Sequence, residues 1–129
     1  MATERQRRGA WAEQVAADHL SALGWSVLAR NVVCGKDEID LLCVDPEPPA
    51  ELVFVEVRSL RVAAYGAPED SVDAAKVSRL YRSMSALRAT GRLPDGTPLP
   101  RLPVRVDLIV VDGRGDEVEL RHIARLMPP

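Results

Sequence analysis

Several kinds of residue are too scarce in this sequence to support whole classes of chemistry. Cysteine occurs only twice in 129 residues, as Cys34 and Cys43, which excludes a disulfide framework and a cysteine-based zinc site. Histidine also occurs twice, and neither His19 nor His122 has a partner at metal-ligand spacing. No apolar run approaches the roughly 20 residues needed to span a bilayer. The charged start, Met1 to Gly9, is not followed by an apolar stretch, so no secretory leader is expected. These absences point to a cytoplasmic protein with reduced thiols. No glycine-rich turn follows a strand and opens a helix, so a dinucleotide-binding fold is not expected. Nor is there an excess of one charge: 17 basic and 19 acidic residues leave a net charge of −2. Any contact with phosphate must come from a local basic patch.

What is present is the balance of an ordinary globular domain, 47% hydrophobic and 28% charged. One domain is expected over residues 1–129, with flexible ends at 1–7 and 127–129. Trp11, Ala12, Val15, Ala16, His19, Leu20 and Leu23 recur every three to four residues. That spacing predicts a helix from about Arg8 to Leu23, stopped by Gly24. Strands are expected at Trp25–Arg30, Glu38–Val44 and Leu52–Arg58, the last with the β-branched and aromatic content of a buried strand. A second helix is expected over Ser71–Thr90, with Val77, Leu80, Met84 and Leu87 as its buried stripe. A fourth strand, Arg105–Val111, should break at Asp112-Gly113, and Val118–Ile123 can form a fifth at the sheet edge. The proline-rich segments 45–49 and 93–103 read as loops. Helix, three strands, helix and one or two strands make an α/β fold on the α+β border, with a mixed central sheet.

Two acids break the apolar strands. Asp40 lies between Ile39 and Leu41, and Glu56 between Val55 and Val57. Ionised carboxylates in such strands are costly unless paired, hydrogen-bonded or metal-bound. If the hairpin between them is centred on Pro48, both lie eight positions from that point and face each other. Opposed like charges destabilise a strand pair, whereas a hard cation such as Mg²⁺ reverses the sign. The two-residue period puts Phe54, Glu56 and Arg58 on one face. Arg58 is then either a salt-bridge partner for Glu56 or a group that stabilises charge on a phosphate. Glu13 falls at the edge of the first helix's buried face and can be aimed at the strand ends. Lys76 is placed similarly on the second helix, flanking Leu80, and Arg79 and Arg82 extend a basic stripe toward solvent. Cys43 alternates onto the face opposite Asp40 and reads as a small core residue. Trp11 and Trp25 read as core anchors, with base stacking the alternative if they are exposed, and Asp107 as a structural salt bridge or cap.

The residues Gly9 to Glu13, Leu28 to Asn31, Asp37-Glu38-Ile39-Asp40-Leu41-Leu42, Val53-Phe54-Val55-Glu56-Val57-Arg58, Tyr65-Gly66, Lys76 and Arg105-Val106-Asp107-Leu108 occur in an order that resembles the YraN family of bacterial proteins. That family resembles the PD-(D/E)xK nuclease superfamily, with its restriction-endonuclease-like fold, and is similar to archaeal Holliday-junction resolvases. The resemblance implies a helix Glu, a strand Asp and a Glu-x-Lys strand around Mg²⁺ or Mn²⁺. These positions correspond to Glu13, Asp40, Glu56 and Arg58. The sequence departs from the pattern in three places: Ala12 stands where the family has Gly, Asp37 stands where it has Gly, and Arg58 stands where it has Lys. An arginine remains protonated and cannot act as a base.

The expected function is therefore a metal-dependent nuclease that hydrolyses phosphodiesters in DNA, including branched or damaged structures. Glu13, Asp40 and Glu56 would hold the metal, and Arg58, Lys76, Arg79 and Arg82 would contact nucleic acid. The resolvases imply a homodimer by analogy. The competing expectations are a nucleic-acid-binding module that lost catalysis with its lysine, and a protein-interaction domain.

Overall fold

The computed structural model describes residues 2–60, 74–114 and 116–128. The start of the second helix at Ser71 and the Tyr65-Gly66 pair lie outside the described residues. The elements follow the expected order: α1 (Glu4–Ala22), β1 (Ser26–Cys34), β2 (Asp37–Asp45), β3 (Glu51–Leu60), α2 (Ala74–Thr90), β4 (Val104–Arg114) and β5 (Glu117–Ile123). The five strands form one mixed sheet in the order β1-β2-β3-β4-β5. Only β3 and β4 run parallel, as expected for strands joined through a helix.

Each helix covers one face of the sheet. On the α1 face, Ala12, Ala16, Ala17 and Leu20 pack on Leu41, Cys43, Val53, Val55, Ile109 and Val111. On the opposite face, Leu80, Met84 and Leu87 of α2 pack on Leu42, Leu52, Phe54 and Val106. With both faces covered, β3 and β4 are buried along most of their length, which explains their continuous apolar sequences.

β1 runs on to Cys34, beyond the expected Arg30, and two further boundaries and one burial differ from expectation. First, α1 begins at Glu4, because Thr3 and Gln6 form a reciprocal capping box that satisfies two otherwise free amides. Second, β4 does not break at Asp112-Gly113. Asp112 pairs with Glu119 and Gly113 with Val118, so the strand continues to Arg114. The glycine is there for close approach: a Cβ on Gly113 would sit 2.6 Å from Trp11 Cη2. Third, Trp11 is no buried anchor. It is 37% exposed and lies over the ends of β3 and β4, with the Arg8 guanidinium 5.5 Å from its ring.

Candidate functional site

The β2–β3 ladder runs from Asp45 opposite Glu51 to Leu41 opposite Val55. One more rung would place Asp40 directly across from Glu56, as a hairpin centred on Pro48 requires. The ladder ends there. Beyond it, β2 continues to pair with β1 as far as Asp37, and β3 continues with β4 as far as Leu60. The sheet forks between its second and third strands, and Asp40 and Glu56 stand where it divides. In place of the lost rung, the Val57 N–H donates to Asp40 Oδ2 at 2.8 Å.

A fork exposes the acids to both faces of the sheet, so helices on opposite faces can address them. From the α2 side, Lys76 Nζ lies 3.5 Å from Glu56 Oε1. Arg58 Nε approaches the same oxygen at 3.6 Å, which is ion-pair range but beyond a hydrogen bond. From the α1 side, Glu13 is half-buried within the field of Asp40 and Glu38. Arg79 and Arg82 are exposed on the flank of α2 and have no partner among the described residues.

The electrostatics agree with the crowding. Burial raises the Glu56 carboxyl, the charge of Asp40 raises it further, and Lys76 and Arg58 only partly compensate, so its pKa is pushed up to about 7. Burial also raises Asp40, against the opposing effects of the Val57 N–H and Lys76. Glu13 is raised by burial and then by Asp40 and Glu38, with Asn31 and Arg30 opposing. Three acids raised together are under-compensated by the protein itself: a shared proton or a cation must relieve them. Glu56 is only 5% exposed, and its Oε2 is a buried acceptor with no hydrogen-bond partner among the described residues. Such an atom needs an explanation, and an ion is one of the few available. Among the described residues, no three His, Cys, Asp or Glu side chains form a ready-made metal cage. Mg²⁺ does not require one, because it is commonly held by one or two carboxylates with waters and substrate phosphates. The donor set therefore fits a magnesium-like ion held by the Asp40–Glu56 pair.

Two residues at the fork escaped the sequence reading as site members. Glu38 adds negative charge beside Glu13 and Asp40. Asn31 adopts the left-handed conformation at φ 51°, which asparagine tolerates better than most residues, and its polar side chain opposes the upward shift of Glu13. The alternation along β1 slips there. Arg30 reaches Gln14 on α1, whereas Val32 and its partner Ile39 join the α2-side core. An isolated Asn in an apolar strand was the available signal.

Asp107 belongs to a different network. It is fully buried on β4, where Arg105 Nε at 3.1 Å, His122 Nε2 at 2.7 Å and the Arg125 N–H at 3.0 Å converge on it. Burial would raise its pKa, but these donors outweigh it and hold the carboxyl below the usual range. The same arginine pairs with Asp45 and Glu51, and Arg125 also binds Glu51. This is the structural salt bridge expected for Asp107. Cys43 is buried on the α1 face, where burial pushes its thiol up to about 12.

Among the described residues the chain is thus a two-helix, five-stranded α/β fold with an under-compensated acid pair in a strand fork. It belongs to the bacterial family described as Uncharacterised protein family UPF0102, whose pattern matches residues 12–111. It is similar to the UPF0102 protein of Deinococcus radiodurans, with 39% identity over 129 residues covering 96% of this chain and 98% of the relative. The UPF0102 protein of Syntrophotalea carbinolica is 34% identical over 122 residues, covering 95% and 92%. That of Symbiobacterium thermophilum is 41% identical over 107 residues, covering 83% of each chain. The YraN resemblance read from the residues is this same family. No described helix is long and apolar enough to cross a membrane.

Proposed function

We propose that the protein is a metal-dependent nuclease that hydrolyses phosphodiester bonds in DNA, with its active centre at the strand fork. The observation that carries this reading is the buried Glu56 Oε2 beside Asp40, without a hydrogen-bond partner among the described residues, with two cations on the other Glu56 oxygen. Both cations face Oε1, and Oε2 is the oxygen on which a divalent ion shared with Asp40 would sit.

Asp40 and Glu56 would hold Mg²⁺ or Mn²⁺, with Glu13 and Glu38 supplying negative field. A bound divalent ion supplies a polarised phosphate and a water of lowered pKa. The protein's own groups do the rest. The Val57 amide fixes the Asp40 carboxylate so that it needs little reorganisation. Arg58 offers a permanent positive charge to a phosphate that gains negative charge in the transition state. Lys76 takes the part for which the Glu-x-Lys pattern uses a strand lysine. It reaches the same carboxylate from α2, and, unlike arginine, it is able to exchange a proton.

The test is cleavage of single-stranded, duplex and branched DNA by purified protein with Mg²⁺ or Mn²⁺. Cleavage by wild type and none by Asp40→Ala supports the reading; absence of cleavage by wild type, or equal cleavage by Asp40→Ala, rejects it. Arg58 in the lysine position favours a second reading, a nucleic-acid-binding module without catalysis. In that case Lys76→Ala changes nothing in a cleavage assay, whereas Arg58→Lys creates activity that wild type lacks.

A further inference from the structure

A second feature on the α2 face lies well away from the fork. Where α2 ends, a cavity of about 870 Å³ opens between the last turn of the helix and the proline-rich segment before β4. Three arginines line it: Arg88 from the helix, Arg92 just beyond it and Arg101 from the opposite wall. No acidic residue is among the lining residues. The closest acids in sequence are engaged elsewhere. Glu51, next to the lining residue Leu52, pairs with Arg105 and Arg125, and Asp95 accepts from the Thr97 amide.

The ordinary explanation for arginines at a helix end is compensation of the terminal carbonyls. It applies to Arg88 alone: Arg92 and Arg101 lie beyond the helix, on the segment after it and on the opposite wall. At that end the Leu87 carbonyl accepts from the Gly91 N–H and from Thr90 Oγ1, and the Gly91 carbonyl accepts from the Leu99 N–H. Arg92 Nη1 is held by the Gly96 carbonyl at 2.9 Å, which orients it without neutralising it. Arg88 and Arg101 are exposed and form no ion pair among the described residues. The wall that carries Arg101 includes Pro98, Pro100 and Pro103, whose fixed φ angles limit the backbone freedom lost on binding. In a chain of net charge −2, three cations with no carboxylate partner among the described residues around one pre-formed cavity suit a polyanion.

We propose that this cavity binds backbone phosphates of nucleic acid, as a second anchor remote from the fork. This rests on the nucleic-acid reading given above. From Lys76 to Arg88 is twelve residues of α2, about 18 Å at 1.5 Å per residue. That spans about five phosphates at 3.4 Å each along one strand. One strand or duplex arm can therefore meet the acid pair at one end of α2 and the arginines at the other.

The test is equilibrium binding of the full chain to 12- and 24-base-pair duplexes in metal-free buffer over a range of salt, alongside calorimetry with inorganic phosphate. Wild type is expected to bind the 24-mer. R88A/R101A is expected to bind it at least tenfold more weakly, with a salt slope smaller by about two, one unit for each lost phosphate contact. Arg101→Gln, which leaves α2 untouched, should shift binding in the same direction by a smaller factor. Absence of duplex binding by wild type, or equal affinity and slope in wild type and R88A/R101A, overturns the proposal. Arginine-dependent binding of inorganic phosphate without duplex binding also overturns it, in favour of a free-phosphate site. Cleavage by wild type separates the two readings: a wild-type protein that binds duplex through the arginines but never cleaves it rejects the nuclease reading alone, and Asp40→Ala should keep the arginine-dependent binding while losing any cleavage.

Discussion

Glu56 stores unfavourable free energy in the metal-free protein, and its sign can be followed with pH. Its folded-state pKa, near 7, lies above the ordinary value of 4.5. The folded state therefore holds this proton more tightly than the unfolded chain does. That contribution is fully present below about pH 4.5 and is lost as pH rises through 7. Glu56→Gln, which cannot ionise, should stabilise the metal-free protein at pH 8 by about 1–3 kcal/mol relative to wild type and have little effect at pH 5. Urea unfolding at the two pH values checks this; equal effects at both would contradict it. Asp107 behaves in the opposite way. Its lowered pKa means that the stability it contributes is present at neutral pH and lost as pH falls below the ordinary carboxylate range. Asp107→Asn, by removing one partner of a buried charge network, should cost about 3 kcal/mol at pH 7, measured by the same unfolding experiment. The sequence announced both residues as acids in apolar strands. It separated them as a metal-site candidate and a structural salt bridge, but did not show the donors behind that difference: the Asp107 donors come from β4, β5 and the segment after β5, whereas Glu56 Oε2 has no partner among the described residues.

At the scale of elements, α1 is held to the sheet at its N-terminal end by a clasp. Arg8 Nη2 donates to the Leu60 carbonyl at 2.8 Å, and Trp11 rests on Gly113. Gly113→Ala should destabilise the fold by about 1–3 kcal/mol, because the added methyl meets an aromatic ring rather than a flexible side-chain tip. Thermal unfolding measures the loss, and Trp11→Leu in the Gly113→Ala background should recover part of it. If the double variant is no more stable than Gly113→Ala alone, the contact is not the cause. Although Trp11 and Leu23 of the α1 pattern are exposed and Ala17, outside it, is buried, the buried stripe of α2 followed from its 3.6-residue periodicity, as did Ala12, Ala16 and Leu20 of α1. So did the identity of the buried strands, since covered strands must be apolar throughout. The strand termini were less legible. Asp112-Gly113 has the composition of a turn, yet Gly113 is a packing residue within a continuing strand, and only the position of Trp11 shows this. The cap at Thr3 lies in a charged segment without apolar periodicity, so pattern alone placed the start of α1 four residues late.

At the scale of the whole molecule, the fork links folding to ion binding. An ion that binds the folded acid pair and not the unfolded chain stabilises by RT ln(1 + [L]/Kd), about 2.7 kcal/mol at a hundredfold excess over Kd. Mg²⁺ or Mn²⁺ at millimolar concentration should therefore raise the melting temperature of wild type by several degrees. It should raise that of Asp40→Ala by less than one degree, as read by thermal scanning with and without chelator. Equal shifts in the two proteins would place the ion elsewhere. The C-terminal segment makes a second long-range connection. After the Asp107 network it crosses to the α2 face, where the Leu126 N–H donates to the Val106 carbonyl and its carbonyl accepts from the Tyr81 hydroxyl.

By itself, the sequence determined the order and amphipathic faces of the elements, the hairpin register that sets Asp40 against Glu56, and the family. Each of these depends on local spacing: 3.6 residues in a helix, two in a strand, and symmetry about a turn. Only the tertiary structure decided that the sheet divides at those two acids, that Lys76 rather than Arg79 or Arg82 reaches them, and that three arginines separated along the chain surround one cavity. Such outcomes depend on where a strand pair ends and how two helices sit on opposite faces. They are set by the packing of distant segments, to which no periodicity along the chain corresponds.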